Sequence, residues 1–418
     1  MAPQMKLSRK LKCQNSFTKI KHINMMNVTE ISSEQVELLQ KPDADPNLET
    51  ENKSPFVSLF IRRSRKAFDP SLSIPQTSDE RLREAAHDHA LDIDILFKEH
   101  GTKSKLRHTE KPQNGYKGTD KPEETVLYLA YGSNMSIQTF RKSRGIVPIS
   151  QLNVYVPDLS LTFDLLGLPY IEPCMAATKF RSPKPSILES DLPQPSETHQ
   201  TQAWHKPLVG IVYEVTLSDY AHIIATEGGG SSYIDIAVDC YAFPKSYKPT
   251  DPVPSYPDKL SKPFKAHTLL SPSAKDEIAA KLSTATSVTK RISQAPSRFT
   301  RSHPPGNPAQ PSPRYKNLLV TGAREHNLPI EYRAYLSSIT AYRITTTRQR
   351  IGKYVTMMMW GPPLLLSFMI TTVVEDKRGR MPWWASVLQR WLFVAMWWWY
   401  DFLARPVFGE GRRTALKL

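Results

Sequence analysis

Two short stretches of the sequence carry residue types that could act on a small charged molecule. The first is Tyr131-Gly132-Ser133-Asn134, a polar turn that follows an apolar run at residues 126–130. A buried strand that ends in a glycine turn and opens a helix presents backbone N–H groups at the positive end of that helix. Such a turn suits a carboxylate or a phosphate, although a structural corner without a ligand has the same pattern.

The second stretch begins at Glu227, which ends a predicted short helix and precedes three glycines. The negative end of a helix costs a carboxylate roughly 0.3–1 kcal/mol, so the helix alone raises the pKa of Glu227 by less than one unit. Burial in a cleft would raise this pKa further. A glutamate of raised pKa beside a glycine loop suits general acid–base catalysis. A helix-ending Glu before a glycine cap is the purely structural alternative.

The hydrophobic patterns around these stretches predict one moderate core. Strands are predicted at residues 159–163, 208–215 and 233–243, and helices at 219–227 and 312–327. Short strands with a few helices favour an α+β fold, a mixed β-barrel or curled sheet with flanking helices, over a doubly wound sheet.

The rest of the chain differs from this core in composition. Thr77 and Glu80 have the spacing of a capping box, so an amphipathic helix is predicted to start there. Its polar face could be considered for a metal, but an acidic surface exposed to solvent is the favoured interpretation. The expected organisation is a disordered polar region at 1–76, this helix at 77–101, a linker at 102–124, and a domain at 125–340 with disordered insertions at 181–206, 245–262 and 273–310.

The charge distribution argues against a nucleic-acid partner. The formal net charge is +15, and residues 243–316 hold thirteen Lys or Arg against four Asp or Glu. These charges lie in a segment rich in Pro and Ser rather than on a patterned face, which is typical of solvated chain. Attraction to an acidic membrane surface is a second use for them.

Cysteine usage indicates a reducing compartment. Cys13, Cys174 and Cys240 are odd in number and far apart, without CxxC spacing. Neither a disulfide framework nor a zinc site is therefore expected.

The last part of the chain is strongly apolar. Residues 354–374 carry no charge and are long enough to cross a hydrocarbon core of about 30 Å, and six of the eight tryptophans lie within 382–404. We therefore expect either a transmembrane hairpin or one span followed by a helix in the membrane interface. The flanking Lys and Arg, including the basic tail at 405–418, place both ends and the core domain in the cytosol. A soluble cytoplasmic protein is the alternative.

A third block completes a resemblance to a known family. Residues 311–339 read PSPRYKNLLVTGAREHNLPIEYRAYLSSI, with a PSP-x-Y-K opening, a GA-x-E-x-x-LP centre and an EY close. Together with the YGSN turn and Glu227-Gly228, in this order, the block resembles the γ-glutamylcyclotransferase family. A fungal-type branch with long insertions and a hydrophobic C-terminal tail is similar to this chain.

The resemblance implies an enzyme that releases 5-oxoproline and a free amine from γ-glutamyl amino acids or peptides, a lyase or acyltransferase type of amide cleavage. The α-amino group attacks the γ-carbonyl of the same molecule, so no metal and no cofactor is implied. Glu227 matches the catalytic glutamate, which acts as base and then as acid. Residues 131–134 match the substrate cradle, and Tyr315 and, more weakly, Tyr233 are further candidates for substrate binding.

Several alternatives stay open at this point. The leaving group could be an amino acid, the remainder of glutathione, an amine, or part of a glutathione adduct in secondary metabolism. A non-catalytic γ-glutamyl-binding scaffold on a membrane is the alternative outside enzyme chemistry. The sequence does not indicate an oligomeric state.

Overall fold

Five strands close into a barrel at the centre of the protein. The structure is a computed structural model that describes residues 73–93, 95–101, 123–181, 204–226, 234–258, 261–270, 309–374 and 383–414. The barrel strands are β1 (Thr125–Ala130), β2 (Ser150–Val156), β5 (Leu208–Thr216), β6 (Ile234–Ala242) and β7 (Phe264–Leu270). Their order is β1-β5-β2-β6-β7, and β7 returns parallel to β1.

Both faces of strand β1 are buried, which explains its uninterrupted apolar sequence. Leu129 lies opposite Val212 of β5, which lies opposite Leu152 of β2, so these three side chains share one face of the sheet. Tyr128 and its partner Tyr213 share the other face and are 4% and 1% exposed. A strand covered on both sides reads as a continuous apolar run.

A second sheet is a long ribbon of two strands, β3 (Leu159–Leu168) and β4 (Glu172–Phe180), paired antiparallel. The turn between them contains Tyr170, whose φ of 62° lies in the left-handed region. Such a conformation costs a non-glycine residue free energy, so contacts made by the side chain must hold it.

Helices surround the sheets. Besides a helical segment at 95–101, the described residues form α1 (Asp79–Glu84), α2 (Leu217–Thr226), α3 (Pro313–Glu325), α4 (Ile330–Ser338), α5 (Thr347–Val374), α6 (Trp383–Trp399) and α7 (Arg405–Phe408). Helix α3 begins as the sequence predicts, because Ser312 is its N-cap, accepts the N–H of Tyr315 and precedes a first-turn proline. The predicted α+β fold around a curled, closed sheet is confirmed.

Helices α5 and α6 pack against the end of the β3–β4 ribbon. Tyr170 is buried with Leu364 of α5 and Met396 of α6, and the indole Nε1 of Trp397 donates to the Gly167 carbonyl at 3.2 Å. The chain after α7 then runs back along the ribbon, where the Tyr170 N–H donates to the Gly411 carbonyl at 2.9 Å.

These contacts bear on the predicted transmembrane hairpin, which the structure does not support. Within the part of the chain that the structure describes, no helix is at once long and apolar enough to cross a bilayer. Helix α6 has only 17 residues, and α5 contains Pro362, Pro363 and several Gly, Ser and Thr. The predicted basic tail at 405–418 also differs, because residues 405–414 form α7 and an ordered return.

Three further segments differ from their predictions. The single helix expected at 77–101 is broken: α1 is followed by a 3₁₀ turn (Ala85–His87), an extended stretch and a helical segment at 95–101. The insertion at 245–262 is ordered where it is described, because the Val253 N–H donates to Glu331 of α4 and Val253 is 2% exposed. Strand β2 was not predicted. Of the segments expected to be disordered, at 1–76, 181–206 and 273–310, residues 1–72, 182–203 and 273–308 lie outside the described residues.

Replacing Tyr170 by alanine should loosen the C-terminal helices from the ribbon. The side chain is 1% exposed, its hydroxyl donates to the Gly409 carbonyl at 2.8 Å, and its ring contacts Tyr400. We expect the free energy of unfolding in urea to fall by about 3–5 kcal/mol. Tyr256→Ala, which truncates a tyrosine that is 69% exposed, is the control and should change it by less than about 1 kcal/mol. Equal losses in the two variants would contradict the packing described.

Candidate active site

The polar turn that follows β1 is held by buried side chains at both of its ends. We call residues 131–134 the cradle. The hydroxyl of Tyr131 donates to the Leu269 carbonyl at 2.6 Å, and the Asn134 amide donates to the hydroxyl of Tyr128 at 2.8 Å. Tyr131 and Asn134 are 6% and 4% exposed, whereas Gly132 and Ser133 between them are only half-buried. Solvent and a ligand therefore reach the cradle mainly at its middle.

The backbone of the cradle region offers donors of the predicted kind. A 3₁₀ turn (Ser133–Met135) starts directly after Gly132, and the N–H of Met135 donates back to the Gly132 carbonyl at 3.0 Å. The first N–H groups of such a turn have no acceptor inside it and favour an anionic partner.

Helix α3 supports the cradle region from behind through a glycine. A Cβ added at Gly322 would lie 2.7 Å from the carbonyl carbon of Met135 and 2.7 Å from the nitrogen of Ser136. No side chain fits between the helix and this backbone. The position of the cradle is therefore set by direct packing of backbone on backbone.

Tyr315 lies beside Gly132 of the cradle. Its hydroxyl oxygen accepts the N–H of Ala176 in β4 at 3.1 Å, and a Cβ added at Gly132 would be 3.4 Å from the same oxygen. The phenol is 6% exposed. The first turn of α3 thus places one hydroxyl between the ribbon and the glycine of the cradle.

An ionic contact anchors this first turn to the ribbon. Ser312 Oγ donates to one oxygen of Glu172, and the guanidinium of Arg314 donates to the other oxygen at 2.8 Å. Because Ser312 also caps α3, the carboxylate of Glu172 fixes the start of the helix that carries Tyr315.

His326 closes the other end of α3. Its Nε2 lies 2.9 Å from the hydroxyl of Tyr213, and the imidazole is 8% exposed. The pKa of His326 is lowered to about 4, mainly by burial and to a smaller extent by the charge of Arg141, while a hydrogen bond to the Met135 backbone partly offsets these effects. The side chain is therefore neutral at physiological pH and bridges strand β5 to the cradle region.

Glu227 and Tyr233 lie outside the described residues, so the structure does not test their predicted roles. The residues on either side of them are described. Helix α2 ends at Thr226, whose hydroxyl accepts a hydrogen bond from the guanidinium of Arg144, and β6 begins at Ile234. The ring of Tyr220 in α2 lies 5.9 Å from the ring of Tyr128, the residue that holds Asn134.

A buried group of polar side chains fixes the chain just after Tyr233. Asp235 accepts the hydroxyl of Tyr220 at 2.5 Å and the N–H of Leu91 at 3.1 Å, and Nδ1 of His267 lies 3.2 Å from it. Asp235 and His267 are 5% and 1% exposed. Segment 227–233 thus starts and ends at anchored positions.

Some of these supporting residues could have been found from the sequence. Tyr315, Leu319, Gly322 and His326 recur at helical spacing, which places them on one face of α3, and all four are buried. Arg144 gives no such signal, because its partner Thr226 is 82 residues away.

Gly322→Ala should displace the cradle. The added methyl group must move the Met135–Ser136 backbone or the helix, so we expect kcat/KM for a γ-glutamyl amino acid to fall roughly tenfold to a hundredfold and KM to rise. Release of 5-oxoproline measures this. Thr321→Ala adds an alanine to the same helix at a half-buried position and should retain the parent value. Unchanged kinetics in the Gly322 variant would show that the cradle does not depend on this contact.

The burial of His326 predicts a specific loss of stability in acid. The unfolded chain protonates this imidazole below about pH 6.5, whereas the folded chain resists protonation down to about pH 4. The free energy of unfolding should therefore fall by up to roughly 3 kcal/mol as the pH drops through that window. The dependence of this free energy on pH should weaken in His326→Gln. It should persist in His205→Gln, which replaces an exposed histidine. Identical slopes in the three proteins, measured by urea unfolding, would contradict it.

Comparison with known proteins finds relatives of one kind. The chain is 27% identical over 294 residues to the γ-glutamyl cyclotransferase gliK of Aspergillus fumigatus, covering 69% of this chain and 90% of the relative. It is 28% identical over 295 residues to aclK of Aspergillus oryzae, with the same coverage, and 29% identical over 164 residues to verK of Clonostachys rogersoniana, covering 39% of this chain and 82% of the relative. All three relatives bear the name γ-glutamyl cyclotransferase.

Two solved structures are also similar. One is a γ-glutamyl cyclotransferase, 18% identical, covering 54% of this chain and 93% of its own, with a TM-score of 0.32. The other is the uncharacterised human protein loc79017, 19% identical, covering 54% and 94%, also with a TM-score of 0.32.

The C-terminal helices match a family model of their own. Residues 346–407, which span α5, α6 and most of α7, match the AclK C-terminal domain. The sequence blocks, the aligned relatives and this domain agree with one another, and the chain is similar to fungal γ-glutamyl cyclotransferases.

Proposed function

We propose that the protein is a γ-glutamyl cyclotransferase that releases 5-oxoproline and a free amine from γ-glutamyl amino acids or peptides. The observation that carries this proposal is the link between the cradle and α2, since Tyr128 contacts both Asn134 and Tyr220. Helix α2, which ends one residue before Glu227, therefore contacts the same side chain as the cradle. The names of the relatives support the same activity.

The cradle is suited to hold the glutamyl end of the substrate. Backbone N–H groups at the middle of the cradle would bind its carboxylate or the oxygen of its γ-carbonyl, where negative charge develops during attack. A bound phosphate fits less well, because a carboxylate at Glu227 would repel it. A zwitterionic glutamyl group offers a carboxylate to the amides and an ammonium to Glu227.

Glu227 would move protons between two nitrogens. The attacking α-ammonium group gives up two protons as its nitrogen forms a bond to the γ-carbon and becomes the lactam N–H. The leaving nitrogen takes up two protons as its bond to the same carbon breaks, and it departs as an ammonium. One carboxylate that accepts a proton and then returns it, twice, therefore balances the reaction. Tethering of the attacking nitrogen lowers the entropic cost.

Tyr315 is a substrate-binding residue in this proposal. Its oxygen accepts the N–H of Ala176, which orients the phenol toward Gly132. From there the hydroxyl could donate to the substrate carboxylate or γ-carbonyl. Tyr233, which directly precedes β6, is assigned a weaker role at the same site.

Substrate class can be assigned with a panel of leaving groups. Purified full-length protein is incubated with γ-glutamyl amino acids, glutathione, γ-glutamylamines and a glutathione S-conjugate, and 5-oxoproline is measured. Preference for the conjugate would indicate that the substrate of the protein is a glutathione adduct. Binding without turnover of any member would favour a γ-glutamyl-binding scaffold instead.

We infer that the catalytic domain works in a reducing, cytosolic environment. Cys174 and Cys240 are both buried free thiols, and burial raises the pKa of each well above its usual range. Such thiols are unreactive structural residues. The inference would fail if the native protein were recovered from an oxidising compartment.

Glu227→Gln should abolish turnover without loss of the fold. The amide keeps the size of the side chain but cannot shuttle protons, so we expect kcat to fall by roughly 10²–10⁴-fold. The affinity for a substrate analogue whose α-nitrogen is acylated, measured by calorimetry, should change little.

The matched control is Glu99→Gln, which replaces an exposed glutamate in the helical segment at 95–101. It should turn over like the parent protein. Parent-like kcat in Glu227→Gln would overturn the assigned mechanism, whereas a lowered melting temperature would assign residue 227 a structural role.

A further inference from the structure

One side of helix α5 is a continuous apolar surface that no described part of the protein covers. Ile351, Tyr354, Met358, Leu366 and Met369 are 50–79% exposed. Their spacing follows the turns of a helix, so they lie along one side of it. The side of a helix that faces water normally carries charged residues, whereas none of these five exposed residues is charged.

Helix α6 repeats the pattern with tryptophan. Trp384, Trp391 and Trp398 are 42%, 58% and 58% exposed and stand seven residues apart, which places them on one side of the helix. Val387 and Leu388 between them are also exposed. We call these exposed sides of α5 and α6 the outer face.

The opposite sides of both helices are already in use. Leu364, Met396 and Trp397 are buried against Tyr170 at the end of the ribbon. The two helices are therefore apolar on the side that packs on the protein and apolar on the outer face. Large exposed apolar surfaces mark interaction sites, because removing such side chains from water is favourable.

The surrounding charge identifies the kind of partner. Residues 343–414 hold eleven Lys or Arg and only four Asp or Glu. Arg343, Arg348 and Arg350 are exposed where α5 begins, and Arg405 is half-exposed where α6 leads into α7. A second copy of the chain would bring like charges together, whereas anionic lipid headgroups would neutralise them. Tryptophan is also the residue that prefers the membrane interface.

We propose that the outer face binds the surface of an anionic lipid bilayer, with α5 and α6 lying flat in the interface rather than crossing it. This goes beyond the proposed activity and does not depend on it. In this arrangement the indoles of Trp384, Trp391 and Trp398 reach the boundary between headgroups and acyl chains, and the flanking arginines contact headgroup phosphates. The rest of the protein, joined through Tyr170, stays on the aqueous side.

Vesicle flotation of the full-length protein tests this binding. We expect it to float with phosphatidylcholine vesicles that contain a quarter phosphatidylserine, to float much less with phosphatidylcholine alone, and to be released by high salt. Tryptophan emission should shift to the blue on binding, with quenching by lipids brominated near the headgroups. If the protein floats with neither kind of vesicle, the proposal is wrong.

Paired variants separate the outer face from general surface effects. Trp391→Ser combined with Trp398→Ser should weaken vesicle binding at least tenfold. Tyr256→Ser, which removes an equally exposed aromatic ring elsewhere, should not change it. Arg348→Gln combined with Arg350→Gln should reduce the preference for phosphatidylserine.

Two other results would assign the face differently. If light scattering shows a dimer that the paired tryptophan variant dissociates, and no vesicle binding, the occupant is a second copy. If the vesicle-bound protein resists alkaline carbonate and is quenched most by lipids brominated near the chain ends, the helices insert deeply. Either result would overturn the flat arrangement.

Discussion

Helix α3 can support the cradle region only because residue 322 has no side chain. The backbone of Met135 and Ser136 lies where a Cβ would be, so the helix and the turn have one relative position. One face of the helix then carries, in order, a hydroxyl at the cradle from Tyr315, the backbone contact at Gly322 and a neutral imidazole from His326. Each of these three contacts depends on the close approach of helix α3 to the backbone of Met135 and Ser136. A site that must orient a flexible γ-glutamyl group needs such a fixed wall, because small misplacements of reacting groups are expensive.

The anchoring of α3 extends outward to the C-terminal domain. The start of the helix is fixed by Glu172 of the ribbon, and the residues just before it are paired with the end of the chain, where the Gln310 N–H donates to the Arg412 carbonyl at 3.0 Å. The same chain end is bonded to Tyr170 at the tip of the ribbon. Residues 409–414 therefore contact both elements that position Tyr315, the start of helix α3 and the β3–β4 ribbon. These contacts explain why residues 409–414 are held against the protein although composition alone indicates a basic tail.

The sequence was most informative where the signal is local and least informative where contacts are distant. The sequence predicts the N-cap at Ser312, the turn at 131–134 and strand β5, because each depends on a pattern among neighbouring residues. Strand β2 was missed because its order comes from two strands far away in the chain. The insertion at 245–262 looked disordered because Val253 owes its burial and its hydrogen bond to Glu331, 78 residues on. Hydropathy could not separate lipid from protein as the partner of α5 and α6, since both are apolar environments.

The segment that carries Glu227 lies between two positions that the fold fixes by different means. On one side Arg144 donates to Thr226, and on the other Asp235 accepts hydrogen bonds from Tyr220 and from the Leu91 N–H. The second anchor also involves the segment before the barrel, because the Leu91 N–H donates to the carboxylate of Asp235, two positions after Tyr233. The proposed role of Glu227 therefore depends on two contacts outside its own segment, that of Arg144 with Thr226 and that of Tyr220 with Asp235, and both are made by residues of the domain that carries the cradle.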